Sequence, residues 1–368
     1  MTVIATDHAI AQKVWRPGVI NEAERQSVGM GLVAASPDSP IMLLEDLTRE
    51  RGDKIQLKFS PSDHEETHDG FSDLDDIVGN GLDVEFLVDE MIIDYLGESW
   101  KSSGMMSQQR TNADIRETSF QKAAVWWSRR YERSILNQAA GFTPGAGTAA
   151  TPLEHARTGM NAVTTVDENH IIRSVEGVAP YATDALLSAD TTAVFSLRQI
   201  EAAVKQMMSK SYGNKYPVAP CSDGLFHCIV HTSQWAQLRE YSNPADWADL
   251  QRALLEGGQK WEQSGFLTGA LGVYLNVAIH VSDYIPKGVS DVITVEQDNV
   301  RRAVIMGSRG LHMAFGEGYA SDGHLDWLES IDDFRKWSVL VDSVFGVKRT
   351  EFDGETFGLF VLPSYSDV

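Results

Sequence analysis

His64-Glu65-Glu66-Thr67-His68 is the stretch whose residue types and spacing most directly suggest chemistry. On a helix, histidines at i and i+4 share a face and converge on one zinc ion, and the glutamate between them acts as general base. The surroundings oppose that geometry. Pro61 and Asp63 precede the motif and Asp69-Gly70 follows it, where a buried zinc helix needs apolar flanks. No second motif supplies a third ligand. The stretch lies between two strand patterns, so it reads as a solvated loop tip. The acidic run of residues 69–76 lacks the ligand spacing of a calcium loop and reads the same way.

The other candidates point to packing. Cys221 and Cys228, with His227 and His231 nearby, form a loose cluster. Cys228, Ile229 and Val230 belong to a strand core, so burial explains them better than metal. Two cysteines suggest neither a disulfide framework nor a structural zinc site, and free buried thiols of a reducing compartment are expected. The glycine-rich residues 307–318 match neither a phosphate-binding loop nor a dinucleotide fingerprint, and read as close backbone packing. Trp126-Trp127 reads as core plus interface rather than a base-stacking platform. No local signature of a Ser/His/Asp nucleophile is present. The residues therefore imply no catalytic site, no cofactor and no resident metal.

Positioning elements follow from composition and periodicity. The chain has 368 residues, 43% of them hydrophobic, ample for a large core in one elaborate domain or two lobes. Asp+Glu number 52 against 31 Lys+Arg, a net charge of -21, which repels polyphosphate and argues against generic nucleic-acid binding. The first residues lack the basic and apolar regions of a signal peptide, and no 18-residue apolar window predicts a membrane span. No internal repeat is visible.

Residues 1–50 read as an arm, broken early by Trp15-Arg16-Pro17-Gly18. Ile55, Leu57 and Phe59 alternate as one strand. A polar excursion follows, and Leu82, Val84 and Phe86 predict a returning strand with apolar residues continuing to Ile93. That ribbon has no evident core of its own. From Ser107, a good N-cap, a helix is predicted to Ala139. Phe120, Ala124, Trp127, Tyr131 and Ile135 form its apolar stripe. Arg129, Arg130 and Arg133 partly complement its dipole, and Gly141 stops it. Ser196-Leu197-Arg198-Gln199 fits a capping box that opens a second helix. Residues 225–230 read as a buried strand feeding a helix through Trp235 and Leu238, and Asn243-Pro244 starts another. Residues 271–281 alternate as a single strand. Trp337, Val339, Val341, Phe345 and Val347, then Phe357, Leu359 and Val361, predict late strands that return beside the long helix. The fold class is α+β.

This order resembles the major capsid proteins of tailed bacteriophages, the Hong Kong 97-type fold, and more narrowly the podovirus capsid family of the N-four group of phages. The segments that carry it are residues 46–55 (DLTRERGDKI), Val78-Gly79-Asn80, Gln109-Arg110-Thr111 through Trp126-Trp127 and Arg130, Val230-His231-Thr232-Ser233-Gln234 to Leu238-Arg239, residues 268–274 (TGALGVY), and Gly346-Val347-Lys348-Arg349-Thr350 to Phe357-Gly358. It covers about residues 10–365. The chain departs from the family at Gly81-Leu82-Asp83 and in the acidic insert of residues 63–76. Lys54 and Lys58 lie at the hairpin base, so lysine–asparagine crosslinking is not carried over.

The resemblance implies a layout of 1–50 N-terminal arm, 51–106 extended hairpin, 107–189 spine helix and peripheral domain, 190–335 axial domain and 336–368 returning strands of the peripheral domain. It implies self-assembly into pentamers and hexamers of an icosahedral head that encloses double-stranded DNA without sequence-specific binding. Portal, scaffolding and decoration proteins would be the partners, the virion the location, and the bacterial cytoplasm the place of assembly. The neighbouring subunit would then supply the hairpin's core. Trp15, Ile55, Leu57, Phe59, Leu82, Val84, Phe86, Trp126 and Trp127 are the expected interface residues. An encapsulin-like nanocompartment shell of the same fold is the alternative, and a zinc hydrolase through His64 and His68 the remote one.

Overall fold

In the computed structural model of the chain, the long helix occupies Ile115–Ala140, 26 residues. At ~1.5 Å per residue it is about 39 Å long. The structure describes residues 27–45, 52–60, 86–101, 104, 106, 109, 115–141, 161, 163–173, 181–209, 216–241, 272–289, 296–317, 325–331 and 336–366, with backbone alone at 115–118, 241, 296 and 325–331. The expected cap Ser107, the start at Asn243-Pro244, and residues 61–85 with the histidine motif and acidic insert lie outside them. The predicted apolar stripe is buried throughout, from Phe120 to Ile135. Gly141 takes φ +67° and ends the helix as expected. The three arginines do not reach the end: the last turn holds no basic residue.

Two six-stranded sheets flank this helix. In the first, Lys336–Arg349 is the axis. Asp94–Lys101 pairs along one edge, and Leu325–Ile331 and Leu311–Phe315 pair in succession along the other, all antiparallel. Ile41–Leu44 joins in parallel beside Leu311–Phe315, with Val33–Ala34 outside it. The later part of the predicted arm is thus a sheet edge of the same chain. In the second sheet the order is Leu359–Tyr365, Glu296–Met306, Phe226–Val230, Val277–Val281, Gly272–Tyr274, with Lys287–Val289 paired to Glu296–Met306.

The period of two divides the second sheet between two cores. Ile229, Val304, Met306, Leu359 and Val361 point toward the long helix, where they meet Trp127, Tyr131 and Ile135 together with Val339, Val341 and Val347 of the first sheet. Phe226, Cys228, Val230, Ile305, Phe360 and Leu362 point the other way, against Ile200, Ala203 and Met207 of Leu197–Met207 and Leu238 of Thr232–Tyr241.

Two sequence expectations are corrected. The alternating run 271–281 is not one strand. Gly272–Tyr274 and Val277–Val281 form a hairpin around Leu275 and Asn276, at φ 43° and 61°. Two positive φ values are what a two-residue hairpin turn needs, and leucine in the first of them hid the turn inside an apolar rhythm. Ser196 is the N-cap of its helix but makes no side-chain cap bond, and Gln199 turns inward to donate to Ile172 O and Pro363 O. The late strands do return beside the long helix, with Val339, Val341, Val347, Leu359 and Val361 in its core, but they divide between the two sheets. Leu359–Tyr365 crosses into the second sheet, and only one of its faces reaches the long helix.

Candidate assembly interface

The hairpin pairs Lys54–Phe59 with Leu87–Ile92, from Lys54 opposite Ile92 to Phe59 opposite Leu87. Alternation gives it two faces. Inward, Ile55 and Met91 are buried with Leu44 and Ala314, and Leu57 packs beside them. Phe59 stacks on Phe352 at 4.7 Å and meets Tyr216 and Phe357 at 5.2 Å. The described part of the ribbon therefore does have a core, in its own chain, contrary to the expectation. Outward, Val88 is 54% exposed, and Phe86, just before the strand, is 63% exposed.

Polar contacts fasten the hairpin base. Lys348 Nζ donates to Asp89 Oδ1 and to Glu90 O. Asn161 accepts from Ile92 N at 2.9 Å and donates to Ile92 O at 2.7 Å and Val347 O at 3.3 Å, imitating a missing strand neighbour. Asp94–Lys101 then enters the first sheet, with Tyr95 half exposed although its hydroxyl donates to Asp342.

Of the expected interface residues, Ile55 and Trp127 are buried within the chain. Leu57, Phe59 and Trp126 are partly covered, and Trp126 lies edge-to-face with Trp100 at 6.3 Å. Phe86 is the most exposed, and Trp15, Leu82 and Val84 lie outside the described residues. Val88 and Tyr95 join Phe86 as exposed apolar groups; the sequence did not single these two out, because neither stands out until pairing decides which face it occupies.

The far end of the long helix is a joint between the sheets. Arg302, from Glu296–Met306, donates to Ala140 O at 3.0 Å, and Arg349, from Lys336–Arg349, donates to Gln138 O at 3.4 Å. Each sheet thus contributes one cation to the helix's carbonyl end, where the dipole favours it. Arg302 also pairs with Asp184 at 2.7 Å, and Arg173 bridges Asp184 at 2.9 Å and Glu168 at 2.6 Å. Burial works to raise the Asp184 carboxyl, but Arg302 and Arg173 hold it below the usual carboxylate range. Arg349 pairs with Glu351. A cleft of about 380 Å³ opens between Gly141, Val166, Arg173, Asp184 and Arg302. Two arginines, Arg301 and Arg302, at the start of the otherwise apolar run 300–306 are the signal that could have announced such a buried pair.

The cysteine–histidine cluster resolves into packing. Both thiols are buried and free, and burial pushes Cys228 up to about 12. His227 lies 3.2 Å from Asp223 through Nε2 and 3.1 Å from His280 through Nδ1. Burial, reinforced by His227, pulls His280 down to about 3, and burial pulls His231 and His312 to about 4. Among the described residues no group of three or more His, Cys, Asp or Glu is arranged to hold a metal ion, and no helix is long and apolar enough to cross a membrane. The glycine-rich stretch packs closely as expected: a Cβ on Gly307 would meet Ala219 O at 2.8 Å.

Two sheets around one long helix, with a hairpin fastened at their edge, is an architecture already solved elsewhere, and a family of phage capsid proteins matches residues 3–365. The chain belongs to that phage capsid protein family. The capsid of Ralstonia phage GP4 is 20% identical over 92% of this chain and 90% of that chain, with a TM-score of 0.74. The capsid of cyanophage Pam1 is 15% identical, 93% of each chain covered, at 0.65. The head of Helicobacter pylori bacteriophage KHP40 is 14% identical, with 93% and 91% covered, at 0.60. No curated protein matches. The Hong Kong 97-type capsid fold expected from the sequence is therefore the fold of this capsid protein, and shell formation rather than catalysis is the business of its family.

Proposed function

We propose that this chain is the major subunit of an icosahedral tailed-phage head, assembling as pentamers and hexamers around double-stranded DNA. The family match over residues 3–365 carries the reading. The exposed apolar groups support it: Phe86 and Val88 on the hairpin's outer face, and Tyr95 on the strand that follows, stay exposed in the single subunit, where a neighbouring chain would cover them. The lobe built on the second sheet would meet its copies around five- and six-fold centres by heterologous contacts that close into rings. Many weak contacts per subunit then add up through multivalency. The -21 charge suits a wall that does not grip packaged DNA. Portal and scaffolding proteins would be partners, with assembly in the host cytoplasm and the virion as destination.

Electron microscopy of the purified chain tests this. Closed shells large enough for a phage genome are expected. Shells of a small nanocompartment loaded with protein would favour the encapsulin-like alternative, and a protein that stays monomeric under all assembly conditions would sink both. One tightly held zinc per chain, lost in His64→Ala, would restore the hydrolase reading.

A further inference from the structure

The long helix carries a carboxylate that neither its apolar stripe nor the joint at its end uses. Glu132 is 2% exposed. Its Oε2 accepts from Ser27 Oγ and from Gly29 N, both at 2.7 Å. Its Oε1 is buried without a hydrogen-bond partner. No ion pair to Glu132 occurs among the described residues. Ser27 also caps the short helix Val28–Gly31 by accepting from Met30 N. Gly29 lies flat on the long helix: a Cβ there would stand 3.0 Å from Ile135 Cδ1 and 3.2 Å from Glu132 Oε2.

Two tendencies oppose each other at this contact. Two hydrogen bonds to an ionised acceptor are individually strong. A carboxylate removed from water with no cation beside it among the described residues is costly, and water would solvate it better. The remainder of the arm is held differently. Leu32 and Ile41 are in the main core, and Ile41–Leu44 pairs along Leu311–Phe315. The segment before Leu32 is therefore held to the long helix chiefly through Glu132, while the rest of the arm is rooted in the core and the sheet.

We propose that Glu132 is the latch of a strap formed by residues 27–31, which opens from the long helix while Ile41–Leu44 stays paired. Opening solvates the carboxylate and uncovers the helix face around Glu132 and Ile135. Hydrogen exchange on the full-length chain tests it, read by mass spectrometry with residue-level fragmentation. In the natural protein, the amides of Gly29 and Met30 should exchange at least tenfold faster than those of residues 42–44. Glu132→Leu removes both the acceptor and the buried charge. Exchange at Gly29 and Met30 should rise a further tenfold with the melting temperature unchanged or higher. Gly29→Ala, which crowds the docked position from the arm side, should raise the same two rates with the fold intact. The proposal is overturned if Gly29 and Met30 exchange as slowly as residues 42–44, if Glu132→Leu lowers the melting temperature in step with the arm's exchange, or if neither variant alters the arm.

Discussion

The second sheet and the hairpin are built from similar apolar strands, yet they use their faces differently. Phe226–Val230 and Leu359–Tyr365 are buried at every residue, because the long helix covers one side and two shorter helices the other. Lys54–Phe59 alternates, with Ile55 inside and Lys54, Gln56 and Lys58 outside. A strand covered on both sides serves its own subunit. A strand covered on one side leaves its other face open. The same chemistry thus serves stability in one region and, on the proposed reading, association in the other, and the difference lies in what packs above and below.

The contrast is tested most severely by Phe360→Ala. This ring is fully buried, and its loss should cost about 3–5 kcal/mol of subunit stability in denaturant unfolding. A loss below about 1 kcal/mol would mean that the second core collapses easily and the two regions are not so different. Arg302→Leu comes next. It leaves Asp184 buried with Arg173 alone and removes the bond to Ala140 O, so a loss of roughly 3 kcal/mol is expected. If instead the variant melts as the parent does, the joint between the sheets is carried by apolar packing.

Acid should act on the same interior. His231, His280 and His312 are held neutral, with ordinary values near 6.5 lowered to about 4, 3 and 4. Above pH 6.5 neither state takes up a proton and the stability is intact. As pH falls below 6.5 the unfolded chain binds protons that the folded one refuses, so each group removes roughly 1 kcal/mol per pH unit until its lowered value is reached. Melting temperatures recorded from pH 7 to 4 should fall, less steeply in His280→Gln. A flat profile would contradict the burial of these rings.

The smallest effect on the subunit belongs to Val88→Ser. On an outward face it should alter unfolding by less than about 0.5 kcal/mol. Shell yield in the microscope should nevertheless drop. Unchanged assembly would remove the outer hairpin face from the set of contacts.

Much of this was legible beforehand, and for identifiable reasons. The stripe from Phe120 to Ile135 repeats over several turns, so a helix with one buried face was the only economical reading. Gly141 as its stop followed from the need for a left-handed residue there. The hairpin's first strand was plain, since Ile55, Leu57 and Phe59 alternate. The turn at Leu275-Asn276 was not, because alternation carries straight through a two-residue turn when its occupants are not the customary ones. Arg302, Arg349 and Asp184 were invisible as a set. They stand 118 positions apart at the Arg302–Asp184 contact alone, and no local pattern links residues that meet only after two sheets close on a helix.

The sequence by itself determined the elements, their order and their family, because periodicity, caps and glycine stops act within a few residues of one another. Only the tertiary structure decided which face of each strand is covered, that the described hairpin rests on its own chain, and that one buried carboxylate accepts from Ser27 and Gly29. Those outcomes depend on pairing register and on contacts between distant segments, where a shift of a single residue would turn every side chain to the opposite face.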